Sequence, residues 1–275
     1  MVIICLRAGA VCMRVISFAN YKGGVGKTTS VVNTSRALAE SKFKVLVIDL
    51  DPQGNSTLTL SRKNPFEHEK TVGDLLSDKD LNIADCLVRT EIGIDLLPTN
   101  LNSYNLVSAL PPNSAKRIYG LKNKLQELEG RYDFILVDCP PQIEGALITN
   151  AIAASDYYVL PIEGESVYAL QGVDHLIQAI ELIREDTGSK IRLLGALVTM
   201  VDTRTKAGRV IKDAIDKYFR DLVFSVVIRR NTTINKANLR NKCVCDLDPK
   251  SMGCLDYSSF AKELVVRIDQ GTLKN

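Results

Sequence analysis

The chain has 275 residues, of which 45% are hydrophobic and 24% charged, with 35 Lys/Arg against 32 Asp/Glu for a net charge of +3. That composition excludes a disordered chain, and no apolar run reaches the roughly 18 residues of a membrane-spanning helix. Seven cysteines, at 5, 12, 86, 139, 243, 245 and 254, form an odd, scattered set. They read as free thiols of a reducing compartment, and the C-x-C pair Cys243/Cys245 lacks the second pair of a structural zinc site.

Residues 1–13 read as a short extension ahead of the first strand, with Met13 as an alternative start. Arg7 interrupts their apolar run, which argues against a signal peptide. Short apolar runs and helical patterns then alternate. Strands are predicted over Val15–Ala19, Val45–Asp49, Ile94–Leu97, Phe134–Asp138, Tyr157–Leu160, Arg192–Thr199 and Leu222–Val227. Helices are predicted over Thr28–Glu40, Ala115–Leu128, Gly145–Ala154, Ala169–Glu185, Lys206–Arg220 and Tyr257–Asp269. Asn64–Lys70, Asn100–Pro112 and Arg229–Pro249 read as loops with room for short helices. Several strands are near-continuous Val/Ile/Leu runs, as strands buried on both faces require. The expected fold is α/β: a doubly wound, mostly parallel sheet with helices on both faces, one domain over 14–270, and a tail over 271–275. Ligand belongs at the carboxyl ends of the strands.

Between the first strand and first helix stands Lys22-Gly23-Gly24-Val25-Gly26-Lys27-Thr28-Thr29. Its glycines free backbone N–H groups to turn around phosphate oxygens, and the following helix N-terminus adds partial positive charge. This is the strand–loop–helix setting of a P-loop nucleoside triphosphatase. Lys27 is placed to bridge the β- and γ-phosphates and Thr28 to offer its hydroxyl to Mg²⁺. Tyr21 occupies the first glycine of the strict G-x-x-x-x-G-K-[ST] pattern, so the loop follows K-G-G-x-G-K-T-T instead. Two predicted strands end in carboxylates, one in Asp49 and Asp51 and the other in Asp138. Asp138 suits the Mg²⁺ shell, with Asp49 as a further candidate, and Asp51 suits orientation of the attacking water.

Between Asp202 and Lys242 eleven Lys/Arg face four acids, which leaves the remainder of the chain with an acid excess. A basic region on an acidic body points to a polyanion partner. The candidate contacts to double-stranded DNA are Arg204, Lys206, Arg209, Arg229, Arg230, Lys236, Arg240 and Lys242; aromatic residues are too sparse among them for single-strand stacking.

Taken together, these motifs resemble the ParA/Soj group of the ParA–MinD ATPase family, also called deviant Walker A proteins. The resemblance runs from Arg14 to Asp269. It rests on Asn20–Thr29, Asp49–Asn55, Val137–Pro141, Ala169–Gly172, Thr199–Arg204 and Asp248–Ser251. It implies ATP and Mg²⁺ as cofactors and a homodimer formed on ATP, with Lys22 reaching the partner's nucleotide. It also implies that Asp51 orients water, that the dimer binds DNA without sequence preference, and that a ParB-type partner stimulates an otherwise slow hydrolysis. The process served would be plasmid or chromosome partition, in the cytoplasm and on the nucleoid. Ile228-Arg229-Arg230-Asn231 stands where the family carries Ile-Pro-Arg-Asn beside the adenine, which makes Arg229 and Asn231 candidate nucleotide contacts. The alternative is a MinD-like ATPase at a membrane, or one that positions another protein cargo. With Gln270–Asn275 alone after the last predicted helix, no amphipathic membrane anchor is expected.

Overall fold

The computed structural model describes residues 13–111, 114–166 and 168–273. Residues 1–12, including Cys5 and Cys12, and residues 274–275 of the expected tail lie outside the described residues.

Seven strands form one sheet: β1 (Arg14–Phe18), β2 (Val45–Asp49), β3 (Val88–Arg89), β4 (Asp95–Leu97), β5 (Phe134–Asp138), β6 (Tyr157–Glu163) and β7 (Arg192–Thr199). Their order is β3-β4-β2-β5-β1-β6-β7, and every pairing is parallel except β3 with β4. The larger helices are α1 (Lys27–Glu40), α2 (Asn55–Ser61), α3 (Val72–Ser77), α4 (Leu101–Ser108), α5 (Ala115–Leu125), α6 (Ala146–Ala154), α7 (Val173–Thr187) and α8 (Lys206–Phe219). The short α9 (Thr232–Asn238) and α10 (Val244–Leu247) then lead into α11 (Met252–Leu273).

Alternation along β1 divides the core into two layers. Val15 joins a cluster with Val72, Leu121, Ile148 and Leu176 from α3, α5, α6 and α7. Ile16 and Phe18 point the other way, into a cluster with Val31, Leu38, Phe260 and Leu264 from α1 and α11. The expected doubly wound sheet with helices on both faces is thereby found. β1 lies between β5 and β6: the chain passes from β1 to β2 on one side and later crosses from β5 to β6 on the other, which puts the topological switch point at the carboxyl end of β1.

Leu222–Val227 is not a strand. It forms a 3₁₀ turn at Arg220–Leu222 and an irregular run with isolated bridges Ala196–Val223 and Val201–Arg229. Side chains of α11 take its backbone groups: Glu263 accepts from the N–H groups of Ser225 and Val226 at 2.8 and 2.9 Å, and Arg267 donates to the Val223 carbonyl. β6 runs past its predicted end at Leu160, through Pro161, because β1 pairs with it only as far as Val159 and a proline beyond that point breaks no ladder with β1. α7 starts at Val173 rather than Ala169. Gly172 holds φ +75°, and a Cβ there would fall 2.0 Å from the Tyr21 hydroxyl, which donates to the Gln171 carbonyl. α11 begins at Met252, ahead of its predicted start.

The free-thiol expectation fails for two residues, because Cys245 and Cys254 form a disulfide. One turn of α10 carries Cys245 onto the first turn of α11, a proximity invisible in the spacing. Cys86, Cys139 and Cys243 are free and buried. The bond closes a short loop and contributes about 2–3 kcal/mol by restricting the unfolded chain. Alkylation of the denatured, unreduced protein is expected to spare Cys245 and Cys254 and to label Cys86, Cys139 and Cys243. Labelling of all five would contradict the pairing.

Candidate nucleotide site

The glycine loop fills the turn between β1 and α1. Gly24 and Gly26 adopt φ +77° and +87°, the left-handed region that glycine enters without penalty. A Cβ built on Gly23 or Gly24 meets nothing within 4 Å, so the loop opens outward as a cradle. Thr199, at the end of β7, ties the loop to the sheet by donating its hydroxyl to the Val25 carbonyl at 2.9 Å. Lys27 is only 6% exposed and donates to the Lys22 carbonyl at 3.1 Å. Burial lowers its pKa, while Asp138, Cys139 and Asp51 favour its charged form.

The parallel register sets two carboxylates side by side, with Asp49 of β2 opposite Asp138 of β5 and Phe18 of β1 on Asp138's other flank. Both aspartates are fully buried. Asp49 is satisfied by its own chain. One oxygen accepts from the Asp51 N–H at 3.1 Å, and the other accepts from the N–H and hydroxyl of Thr57, both at 2.8 Å. Asp49 therefore anchors the start of α2, and three donors already engage its two oxygens, whereas Asp138 keeps one oxygen without a donor. Asp138 accepts from the Ser56 hydroxyl at 2.7 Å through one oxygen, and its other oxygen has no hydrogen-bond partner although buried. An orphaned carboxylate oxygen with the Thr28 hydroxyl as neighbour is a hard oxygen donor set, which fits Mg²⁺. Burial pushes the Asp138 pKa up to about 6 against the pull of Ser56 and Thr28, and Asp51 adds to the rise.

Asp51 is 8% exposed, and one of its oxygens accepts from the Gln53 N–H at 3.0 Å. Burial raises its pKa, opposed by the Gln53 hydrogen bond and by Lys27. A carboxylate of raised basicity near Lys27 suits the handling of an attacking water. Lys22 lies at the mouth of the loop. Its ammonium sits 3.1 Å from Glu163 and 3.0 Å from the Ser166 hydroxyl, with the side chain one-third exposed.

A cavity of about 190 Å³ continues from Gly26 and Thr29, walled by Thr199, Met200, Ile228–Asn231, Ile234, Asn235, Asn238 and Tyr257. Its mix of apolar surface and side-chain amides suits a nucleotide base. Arg229 and Asn231, the candidate nucleotide contacts, both line it. The Arg229 guanidinium is bonded to Asp256, however, and Asn231 caps α9 by accepting from the Thr233 N–H. The residues that sequence reasoning passed over are Ser56, Glu163, Ser166, Met200, Asn235, Asn238, Asp256 and Tyr257. For Ser56 the signal was present, two residues after the glycine of Asp51-Pro52-Gln53-Gly54.

The basic candidates fall into two groups. Arg204, Lys206 and Arg209 are exposed around the start of α8, and Arg204 also grips Asp202 through two nitrogens. Arg230 is exposed and paired with Glu165, and its N–H donates to the Val201 carbonyl at 3.0 Å, which holds its segment against the first group. Lys236 and Arg240 are exposed on and just after α9, while Lys242 is half-buried. Among the described residues no helix is long and apolar enough to cross a membrane.

Because the Asp138 pKa is raised in the fold, its contribution to stability is complete below about pH 4 and is lost as pH climbs through about 6. Asp138→Asn is therefore expected to stabilise the nucleotide-free protein at pH 7.5 by a few kcal/mol at most, read as a raised thermal midpoint, with the gain shrinking toward pH 5. The same variant is expected to lose the extra midpoint rise that Mg²⁺ adds to ATP. Equal destabilisation at both pH values would contradict this assignment.

Comparison with known proteins agrees with this geometry. A family model described as "AAA domain" matches residues 13–193. The chain is 36% identical to the sporulation initiation inhibitor protein Soj of Bacillus subtilis, over 91% of this chain and 98% of that protein. It is 32% identical to the chromosome partitioning protein ParA of Myxococcus xanthus, over 95% and 91%. A crystal structure described as cobyrinic acid a,c-diamide synthase from Mycobacterium smegmatis with bound ADP and magnesium superposes with a TM-score of 0.81 at 33% identity, over 94% of this chain and 96% of that one. Identity of 36% and 32% to Soj and ParA over more than nine-tenths of this chain, together with a phosphate loop built on Lys22 and Lys27, leads to one conclusion: the chain belongs to the ParA/Soj family of partition ATPases.

Proposed function

We propose that this protein is a DNA-partition switch that dimerises on Mg-ATP, binds double-stranded DNA without sequence preference and is reset by hydrolysis. The observation that carries the reading is the convergence of Lys27, Thr28, Asp51 and Asp138 on one end of the glycine loop, with Lys22 at its open side. Lys27 and the loop N–H groups of Gly23 to Thr29 hold the β- and γ-phosphates. Thr28 and Asp138 hold Mg²⁺, which when bound neutralises charge between those phosphates. Asp51 orients the attacking water.

Lys22 belongs to the second subunit's chemistry. In the single chain its ammonium rests on Glu163 and Ser166. In an ATP sandwich it would exchange those partners for the other subunit's phosphates, where a second cation stabilises the charge that develops on transfer. Hydrolysis by the lone chain is accordingly slow, and a ParB-type protein accelerates it. The exposed Arg204, Lys206, Arg209, Arg230, Lys236 and Arg240, with the half-buried Lys242, supply the phosphate contacts to DNA, which places the ATP form on the nucleoid. The partition role is supported by relatives named for chromosome partitioning that match more than nine-tenths of this chain, rather than by the name of the diamide synthase neighbour.

Binding to a random-sequence duplex is expected to be tight with Mg-ATP, weak with Mg-ADP or without nucleotide, and to fall steeply with salt as counterions are recaptured. Arg204→Ala together with Arg230→Ala is expected to flatten that salt slope by about two. No binding in any nucleotide state would sink the DNA-coupled switch and turn attention to lipid vesicles or protein cargo.

A further inference from the structure

We propose that Asp256 is a positioning residue for the nucleotide base: it clamps Arg229 so that the segment Ile228–Asn231 forms one wall of the base cavity. This rests on the assignment of that cavity to the nucleotide. Arg229 sits in the middle of the segment, on the cavity lining. Its backbone N–H donates to one Asp256 oxygen at 3.0 Å, and its guanidinium bonds both oxygens. One carboxylate thus fixes the main chain and the side chain of the same residue. Asp256 is 5% exposed, and every hydrogen bond described for its carboxylate comes from Arg229. A carboxylate so deeply buried with one partner is costly to leave alone, so the two residues are bound to act as a unit.

The clamp reaches the cavity from a rigid base. Asp256 lies in the first turns of α11, next to Tyr257, whose hydroxyl is 3.4 Å from Ser30 of α1 and whose ring lines the cavity. Three residues earlier, a Cβ on Gly253 would fall 2.7 Å from Ile234, another wall residue, so α11 and α9 touch without room for a side chain. On the opposite side, Val201 N–H donates to Ile228 and Arg230 N–H donates to Val201, which fastens the segment to the end of β7. The segment is held from both sides, and Asp256 supplies the α11 side. Arg229 stands where the family pattern has proline, a residue rigid by its own ring. Here an ion pair supplies the rigidity.

The test separates the base from the phosphates. Affinities for Mg-ADP and for Mg-tripolyphosphate, which has no base, are measured for the wild type, Arg229→Ala, Asp256→Ala and the double variant. Each single variant is expected to weaken Mg-ADP about tenfold and to leave tripolyphosphate unchanged. The double variant should be no weaker than the singles, since the pair is removed once. Arg229→Lys, which restores a cation opposite Asp256 without the forked guanidinium, is expected to recover part of the loss. Unchanged ADP affinity in the singles would overturn the proposal, and so would equal loss for ADP and tripolyphosphate. A fall in DNA affinity with ADP binding intact would make Arg229 a DNA contact and overturn it as well. Failure of the wild type itself to bind Mg-ADP would instead refute the assignment of the cavity.

Discussion

The rest of the site depends on a concentration of buried charge at the carboxyl ends of β1, β2 and β5. Parallel pairing in register puts Asp49 and Asp138 on adjacent strands at the same level, and the turn after β1 brings the buried Lys27 to Asp138. Two carboxylates and one ammonium away from water leave unpaid electrostatic work. The chain settles Asp49 with three of its own donors and leaves an oxygen of Asp138 without one. In the proposed reading a divalent cation and a polyphosphate would complete this arrangement together, the cation held by Asp138 and the phosphates by Lys27 and the loop N–H groups.

From that centre, contacts run outward to two surfaces that the proposed cycle would use. The segment after Ile228 lines the base cavity and carries Arg230, which pairs with Glu165, while Glu163 two residues earlier holds Lys22. One short acidic stretch at the end of β6 therefore touches both the lysine at the open side of the phosphate loop and an arginine of the basic face. In the proposed cycle, moving Lys22 onto a partner's phosphates would leave Glu163 unpaired beside the Glu165–Arg230 contact. That is a direct electrostatic route from nucleotide state to basic surface.

The sequence made the centre legible because its chemistry is local. Glycines that must turn, a lysine that must point inward and carboxylates that end apolar strands all announce themselves within ten residues. β2, β5 and β7 could be bounded from their Val/Ile/Leu runs alone, since burial on both faces leaves little choice of residue. Features set by distant partners stayed hidden. Leu222–Val227 has the composition of a strand, yet Glu263 and Arg267, some forty residues later, take its hydrogen bonds. Nothing near Cys245 marks Cys254 as its partner, and nothing near Arg229 marks Asp256. The split between Asp49 and Asp138 was also unreadable, because it depends on where the fold places Thr57, which bonds Asp49 twice.

The claim at the centre of the account is that each active site draws Asp51 from one subunit and Lys22 from the other. Mixing two inactive variants, Lys22→Ala and Asp51→Ala, tests it with a single rate measurement. In a mixed dimer, the site built on the Lys22→Ala subunit keeps its own Asp51 and receives Lys22 from its partner. An equimolar mixture is then expected to regain about one quarter of the wild-type ATP turnover, as random pairing in a two-fold dimer dictates. Turnover that stays at the mean of the two variants would mean that Lys22 acts within its own chain, and the shared-site account would be wrong.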